Sequence, residues 1–428
     1  MSSFILRGNI ISSRDAHTLD ITENGYAVCD DGICRGVYTM PPERYASLPV
    51  VDCTDKLIIP GMVDLHIHAS QYAYRGMGMD LELLDWLDSY AFPEESKFSD
   101  AEYAKKAYTI FANAMRKSAT TRACIFATAH SGATQILMEL LDKTGLFSFV
   151  GKVNMDRDAP DSLREHDADS AAEDTEAWVR NTLSRYERTK PILTPRFIPS
   201  CTDKLMKLLG EIRQKYDLPV QSHLSENLGE IELVRSLRPD SAYYGDAYAR
   251  DGLFGDGKLS HTVMAHCVWS GDTELDVMQK NGVFIAHCPA SNMNVASGIA
   301  PVRRYLERGM RMGLGSDVAG GQTESMFRAM TDTIQVSKLY WRLVDTTKKP
   351  LGLEEAFYLA TRGGGEFFGK VGAFEDGYEF DAVVLDDSQL KHPQPLDIRQ
   401  RLERAVYLGV DMFGITAKYA AGRKIDIS

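Results

Sequence analysis

The chain has 428 residues, of which 44% are hydrophobic and 25% charged, values that disfavour a disordered tail, a collagen-like repeat and a coiled-coil rod. Its 48 basic and 60 acidic residues give a net charge of −12, which disfavours binding to a nucleic-acid backbone. The seven cysteines are scattered without a C-x-x-C pair, and no apolar run approaches the length of a membrane span. We therefore expect a cytoplasmic protein with reduced thiols and no nucleic-acid or membrane partner.

Both ends of the chain have the composition of short β-strands. Residues 4–13 and 26–38 are rich in β-prone side chains, and the second stretch contains Asp31-Gly32, which is typical of a tight hairpin. Residues 380–387 and 415–427 have the same character and flank a short helical segment. The sequence predicts that residues 1–56 and 374–428 form one small composite β-sandwich domain.

The middle of the chain, residues 57–373, alternates short apolar runs with longer segments of helical period. This pattern is typical of repeated βα units and a parallel sheet. The eight runs are LIIPGMVDLHIHA, TRACIFATAH, SFVGKVNMD, PILTPRF, PVQSHLS, TVMAHC, VFIAHCP and MGLGSDV. They favour an α/β fold of the (β/α)₈ TIM-barrel type, with a doubly wound open sheet as the alternative. Among the intervening helices, residues 100–117 are preceded by a predicted capping box of Ser99 and Glu102.

Polar side chains stand at the carboxyl ends of these eight runs. They are His66, His68, Thr128, His130, Asp156, Arg196, His223, His266, His287 and Asp317. Barrel enzymes build their sites from residues at this end of the strands. The sequence therefore predicts one metal or acid–base site lined by several strands, to which His130 and His287 contribute either as pocket residues or only through backbone hydrogen bonds.

A metal site is the first interpretation of this set. In the H-x-H pair of His66 and His68, residues two apart on a strand point to the same side and can converge on one cation. Three imidazoles and a carboxylate suit zinc, or iron, better than magnesium or calcium. The fourth run ends in Arg196 and offers no lysine to bridge two metals, and Lys152 is interpreted as structural, so we expect one metal.

Acid–base catalysis is the second interpretation. Glu226 lies three residues after His223, where it can face a metal-bound water without binding the metal. Such a carboxylate can take a proton from the water and deliver it to the substrate. His266 either binds the metal or hydrogen-bonds the water, and we favour the second role; Asp317 would bind the metal and accept a proton.

The segments PGMVDLHIHASQ, HLSE, MAHC and GLGSDVAGG resemble the amidohydrolase superfamily over nearly the whole chain. HIHASQYAYRG, LLDWLDSYAFPEE, VGKVNMD, TPRFIPSC, QSHLSEN, AHCPASN and GSDVAGG resemble its guanine deaminase family more closely. The resemblance implies a (β/α)₈ barrel with a composite β domain. It also implies hydrolytic deamination of guanine, a small-molecule substrate, to xanthine and ammonia with one Zn²⁺ per subunit, in a homodimer.

The resemblance implies a role for individual residues, position by position. The metal ligands would be His66, His68, His223 and Asp317. Glu226 would shuttle protons, with His266 and Asp317 as the other catalytic groups. The substrate-binding residues would be Gln71, Trp86, Arg196, Phe197, His223, Glu226 and Asp317.

Two further expectations and two alternative functions complete the predictions. Arg122 departs from the small residue usual in the family and is expected to affect packing or an interface, while residues 71–99 are predicted to cover the site as a lid. A related deaminase acting on a thiomethyladenosine-type nucleoside, a pterin or a triazine would share the metal set. A non-catalytic barrel is the alternative from another functional class.

Overall fold

The computed structural model describes residues 3–257 and 261–428. Its strands are β1 (Phe4–Asp15), β2 (Thr18–Asp30), β3 (Ile33–Tyr38), β4 (Val50–Pro60), β5 (Met62–His68), β6 (Thr120–Phe126), β7 (Phe147–Gly151), β8 (Val153–Asn154), β9 (Thr189–Pro191), β10 (Thr194–Pro195), β11 (Val220–Leu224), β12 (Thr262–His266), β13 (Phe284–His287), β14 (Met312–Leu314), β15 (Ala382–Leu385), β16 (Ile415–Ala420) and β17 (Arg423–Ile425).

The helices occupy mainly the middle of the chain. They are α1 (Leu83–Trp86), α2 (Phe92–Ser96), α3 (Ala101–Lys117), α4 (Ser131–Thr144), α5 (Ala168–Thr182), α6 (Asp203–Tyr216), α7 (Leu228–Leu237), α8 (Asp246–Arg250), α9 (Asp272–Lys280), α10 (Pro289–Asn294), α11 (Val302–Glu307), α12 (Met326–Leu343), α13 (Leu353–Tyr358) and α14 (Ile398–Tyr407). Within the described ranges, no helix combines the length and the apolar character that crossing a bilayer requires.

Strands from both ends of the chain form one mixed sheet in the order β17-β16-β15-β4-β1-β2-β3. The predicted hairpin lies between β2 and β3, where Asp31 and Gly32 have φ values of 52° and 81°, as a two-residue hairpin turn requires. The seven strands are joined by one continuous set of pairings, in which β1 pairs with β2 on one side and with β4 on the other. β4 also continues to Pro60, beyond the predicted boundary at residue 56.

The parallel strands of the middle confirm the α/β class. They form the sheets β5-β6-β7-β9 and β11-β12-β13-β14, with a short β8-β10 pair. A parallel bridge between Leu193 and Val220 connects the two sheets on one side. On the other side, the segment after β14 bonds to β5, with 2.8 Å from Asp317 N to His66 O. The carboxyl ends of β5, β11, β12 and β14 are thereby brought close together.

The start of α3 differs from the predicted capping box. The N-cap residue is Asp100, whose carboxylate accepts hydrogen bonds from the backbone N–H groups of Glu102 and Tyr103 at 2.8 and 3.4 Å. Ser99 instead ends the short 3₁₀ turn that precedes the helix, one residue before the N-cap, and its hydroxyl donates to Ser96 O at 3.1 Å. An aspartate at this position satisfies the same free N–H groups, so the helix still begins where its apolar period begins.

Arg122 connects the second parallel strand to the mixed sheet, which agrees with the packing role expected for it. Its side chain is 2% exposed and forms hydrogen bonds of 2.7 and 3.0 Å with Asp381 and of 2.8 Å with Glu379. The guanidinium also lies 3.9 Å from the centre of the Phe147 ring. The carboxylate of Asp381, itself buried, therefore depends on Arg122 for charge compensation.

Replacing Arg122 by methionine is expected to lower the free energy of unfolding by about 3–5 kcal/mol, because it leaves the Asp381 carboxylate buried without its cation. Urea unfolding followed by circular dichroism measures the loss. The control is Arg185→Met, which removes an exposed ion pair with Glu139 and should cost less than about 1 kcal/mol. Equal losses in the two variants would contradict the structural role of Arg122.

The burial of Asp411 predicts that the free energy of unfolding depends on pH. It is buried and accepts hydrogen bonds from Ser325 Oγ (2.6 Å) and Phe327 N (3.3 Å) at the start of α12. Burial raises the pKa of its carboxyl from 3.8 to about 6, so the folded chain binds this proton more tightly than the unfolded chain. Its contribution to stability falls as the pH rises from about 4 to about 6 and is constant above that range.

We expect Asp411→Asn, which keeps an acceptor without a charge, to gain stability relative to the wild-type chain as the pH rises. The gain from pH 4 to pH 7 should be up to about 3 kcal/mol, the equivalent of a shift of two pKa units. Urea unfolding of both chains across this range measures the difference. Parallel stability curves would show that Asp411 does not titrate in this way.

Candidate active site

Three histidines and an aspartate from different strands form a buried cluster. His66 and His68 both come from β5, and their Nε2 atoms lie 3.2 Å apart. His223, from β11, places its Nε2 atom 3.3 Å from that of His68. Asp317, after β14, places Oδ1 3.1 Å from His66 Nε2 and 3.4 Å from His68 Nε2. The structure therefore brings together all four residues that the sequence predicts as metal ligands.

The donor set of this cluster fits a tetrahedral divalent cation. Metal–ligand bonds of about 2.0–2.1 Å place tetrahedral ligand atoms about 3.3–3.4 Å apart, close to the separations found between these four side chains. Burial lowers the pKa of His68 to about 4 and that of His223 well below its usual value, so both imidazoles are neutral. His223 Nδ1 donates to Arg196 O at 2.6 Å, which leaves its Nε2 lone pair free to bind a metal.

The surroundings of Asp317 determine both the charge of its carboxyl and the conformation of its backbone. Burial alone would raise the pKa of its carboxyl, but His66 and His68 more than offset this and keep the pKa well below 3.8. Asp317 has a φ of 47°, a conformation that costs energy for a residue with a side chain. The buried Asp64 carboxylate supports this loop by accepting from His66 N (3.1 Å), Ser316 N (3.0 Å) and Ser316 Oγ (2.5 Å).

Glu226 and His266 lie beside this cluster. His266 Nε2 is 3.3 Å from Glu226 Oε2 and 3.7 Å from Asp317 Oδ2. The Nδ1–H of His266 donates to Asn292 Oδ1 at 2.9 Å, and Ser297 Oγ donates to Glu226 Oε1 at 2.9 Å. Burial, together with the charge of Asp317, raises the pKa of Glu226 to about 8. A carboxyl with a pKa near neutrality can both accept and release a proton during a reaction.

A second grouping of possible ligands contains Cys288 with His66, His266 and Asp317. Burial raises the pKa of the Cys288 thiol well above its usual value, and the Sγ–H donates to Ala286 O at 3.4 Å. Because the thiolate is the form that binds metals, this neutral thiol is a poor ligand. The cluster of three histidines and Asp317 is therefore the better cation site.

A small cavity opens onto the cluster. Its lining includes every residue that the sequence predicts for substrate binding: Gln71, Trp86, Arg196, Phe197, His223, Glu226 and Asp317. Trp86 also has a packing role, since its Nε1–H donates to Met77 O at 3.2 Å and its ring lies 5.7 Å from that of Tyr74. His130 and His287 are not part of this lining.

Three residues that support the site were not predicted from the sequence. Asn292 and Ser297 hold His266 and Glu226, and Glu95 binds the side chains of Gln71 and Arg196. In the segment AFPEESKF nothing distinguishes Glu95 from the neighbouring Glu94, and nothing in the spacing of Asn292 or Ser297 points to the site. Lys152 is structural, as expected, because its ammonium pairs with Glu165 away from the cluster.

Comparisons with known proteins agree with this geometry. The sequence pattern of the amidohydrolase family matches residues 57–414. The guanine deaminase of Rattus norvegicus is 39% identical over 382 residues, covering 86% of this chain and 83% of that protein. The guanine deaminase of Escherichia coli K12 is 33% identical over 392 residues, covering 89% and 85%. The crystal structure of C. acetobutylicum guanine deaminase with bound guanine superposes with a TM-score of 0.95 at 45% identity, covering 99% and 100%.

Proposed function

Since the chain belongs to the amidohydrolase family, we propose that it catalyses the hydrolytic deamination of guanine to xanthine and ammonia, with one zinc ion per chain. The observation that carries this proposal is the single cavity in which the His/Asp cluster and Glu226 face Gln71, Arg196 and Phe197. One wall of this cavity can hold a cation and a nucleophile, and the other can hold a flat, polar heterocycle.

Recognition of the base follows from the donors in the cavity. Guanine presents O6 and N7 as neighbouring acceptors, which suit the N–H groups of the Arg196 guanidinium. The amide of Gln71 offers both a donor and an acceptor to the edge of the ring. Phe197 and Trp86 provide apolar surface against the faces of the purine. These contacts orient C2, the carbon that carries the amino group, toward the His/Asp cluster.

The reaction adds the oxygen of water to C2 of guanine, breaks the bond between C2 and the exocyclic nitrogen, and releases ammonia. A divalent ion held by His66, His68, His223 and Asp317 would lower the pKa of water to about 7 and so supply a nucleophile at neutral pH. Glu226 accepts a proton from the attacking water, delivers it to a ring nitrogen, and later helps to protonate the departing amine. His266, whose Nδ1 is held by Asn292, directs Nε2 toward the attacking oxygen.

The architecture and assembly of the protein form part of the same proposal. We propose that residues 57–373 close into the (β/α)₈ barrel and that residues 1–56 and 374–428 form the accessory β domain, with the first junction moved to the end of β4 at Pro60. Support comes from the parallel pairings and from the bonds between β5 and the segment after β14. A cytoplasmic homodimer, which the family resemblance implies, is tested by light scattering and cell fractionation.

The direct test is a panel of N-heterocycles incubated with zinc-loaded protein and followed for ammonia release. We expect guanine to yield equal amounts of xanthine and ammonia, and Arg196→Ala to lower kcat/KM for guanine by at least about tenfold. Ammonia from a pterin, a triazine or a thiomethyladenosine-type nucleoside, but not from guanine, would support the related deaminase instead. A chain that binds no metal and releases no ammonia would support a non-catalytic barrel.

A further inference from the structure

Glu95 is a buried carboxylate that lies behind the wall of the cavity. It belongs to α2, in the segment between β5 and α3, and its side chain is 1% exposed. Glu95 Oε1 accepts from Gln71 Nε2 at 2.9 Å, and Oε2 accepts from Arg196 Nη1 at 2.7 Å. One carboxylate therefore binds both polar side chains that the proposed function assigns to base recognition, and no role in the reaction has yet been given to it.

Glu95 fixes the orientation of the Gln71 amide. The backbone N–H of Ala319 donates to Gln71 Oε1 at 3.2 Å, while Nε2 of the same amide donates to Glu95. With the amide reversed, its NH₂ group would face the N–H of Ala319 and its oxygen would face the carboxylate of Glu95, and both contacts would be repulsive. Gln71 therefore has one defined N–H left with which to bind a ligand.

Glu95 also determines which chemical groups of a ligand Arg196 can bind. The guanidinium is 3% exposed and lies 5.1 Å from the centre of the Phe92 ring, in surroundings where an unpaired cation would bind an anion. The carboxylate of Glu95 neutralises this charge but uses only one of the five guanidinium N–H groups. Nη1 also lies 4.0 Å from Met155 Sδ. The other N–H groups can bind a neutral acceptor such as a ring carbonyl, whereas an amino group in the same place would turn its own N–H groups toward them.

We infer that Glu95 is a positioning residue that determines specificity: it holds Gln71 and Arg196 as donors, so that the cavity takes a neutral purine with a carbonyl at C6 and rejects one with an amino group there. This inference rests on the proposed function, because it assumes that the cavity binds a purine. The segment that carries α2 then takes part in recognition of the substrate, since Glu95 belongs to that segment.

The test compares the binding of hypoxanthine and adenine, two neutral purines that differ at C6 and lack the amino group at C2, by titration calorimetry on the zinc-loaded protein. We expect the wild-type chain to bind hypoxanthine at least about 100-fold more tightly than adenine. In Glu95→Gln this ratio should fall at least about tenfold, because a neutral amide cannot accept hydrogen bonds from both side chains. Asp88→Asn, an exposed carboxylate in the same segment, should keep the wild-type ratio.

Metal content and circular dichroism establish that each variant is folded before the ratios are compared. A folded Glu95→Gln chain with the wild-type ratio, or a wild-type chain without preference for hypoxanthine, overturns the inference. If Glu95→Gln does not fold, Glu95→Asp replaces it; its shorter carboxylate cannot reach both partners, so a wild-type ratio there also overturns the inference. Because neither ligand is deaminated at C2, absence of guanine turnover would contradict the proposed function without deciding this measurement.

Discussion

Glu226→Gln is expected to lower kcat for guanine by about 10²–10⁴-fold while KM stays within about threefold of the wild-type value. The amide keeps the size and the hydrogen bond from Ser297 but cannot carry a proton between the water and the base. Since Glu226 stands beside His266 and outside the four predicted ligands, the zinc content of the variant should equal that of the wild-type chain. Steady-state kinetics and metal analysis on the same preparation test both statements.

Glu232→Gln is the matched control for this experiment. Glu232 lies on α7, six residues after Glu226, and its side chain is exposed. The same replacement of a carboxyl group by an amide there should leave kcat and KM at wild-type values. If Glu226→Gln instead lost its zinc, Glu226 would be a ligand and not a proton carrier; if it kept full activity, another group would have to move the proton.

The polar residues at strand ends could be predicted from the sequence because their position follows from a simple rule. Parallel strands place their carboxyl ends on one side, so His66, His223 and Asp317 could be assigned to one site before their contacts were known. The H-x-H spacing then indicated which side chains share a face of β5. In the structure, His66 Nε2 lies 3.1 Å from Asp317 Oδ1, and His223 Nε2 lies 3.3 Å from His68 Nε2, so the strand ends do meet at one site.

The supporting residues could not be predicted in this way. Glu95 and Asn292 lie on short helices whose position depends on how long connections fold over the strand ends. No periodicity fixes where such a segment places a single buried carboxylate or amide. The same limit applies to the order of the strands in the mixed sheet, since strand composition does not say whether β1 pairs on both of its edges. It also explains the N-cap of α3, where Ser99 and Asp100 are both good capping residues.

His68→Ala is expected to weaken zinc binding by more than about 100-fold and to remove activity in the same proportion when zinc is limiting. His68 is the central member of the cluster, with contacts to His66, His223 and Asp317. Loss of a partner that merely orients a ligand already costs about 10- to 100-fold in metal affinity, so loss of a ligand should cost more. Treatment of the wild-type chain with a chelator should remove activity, and added zinc should restore it.

The control is His130→Gln, which removes a partly exposed histidine that follows a neighbouring strand and lies outside the cavity lining. It should retain wild-type zinc content and turnover. His68→Ala lacks one of the predicted ligands, so zinc binding should contribute less to the stability of its folded state. Added zinc should therefore raise the unfolding temperature of the wild-type chain much more than that of His68→Ala. Equal increases in the two chains would place the metal elsewhere.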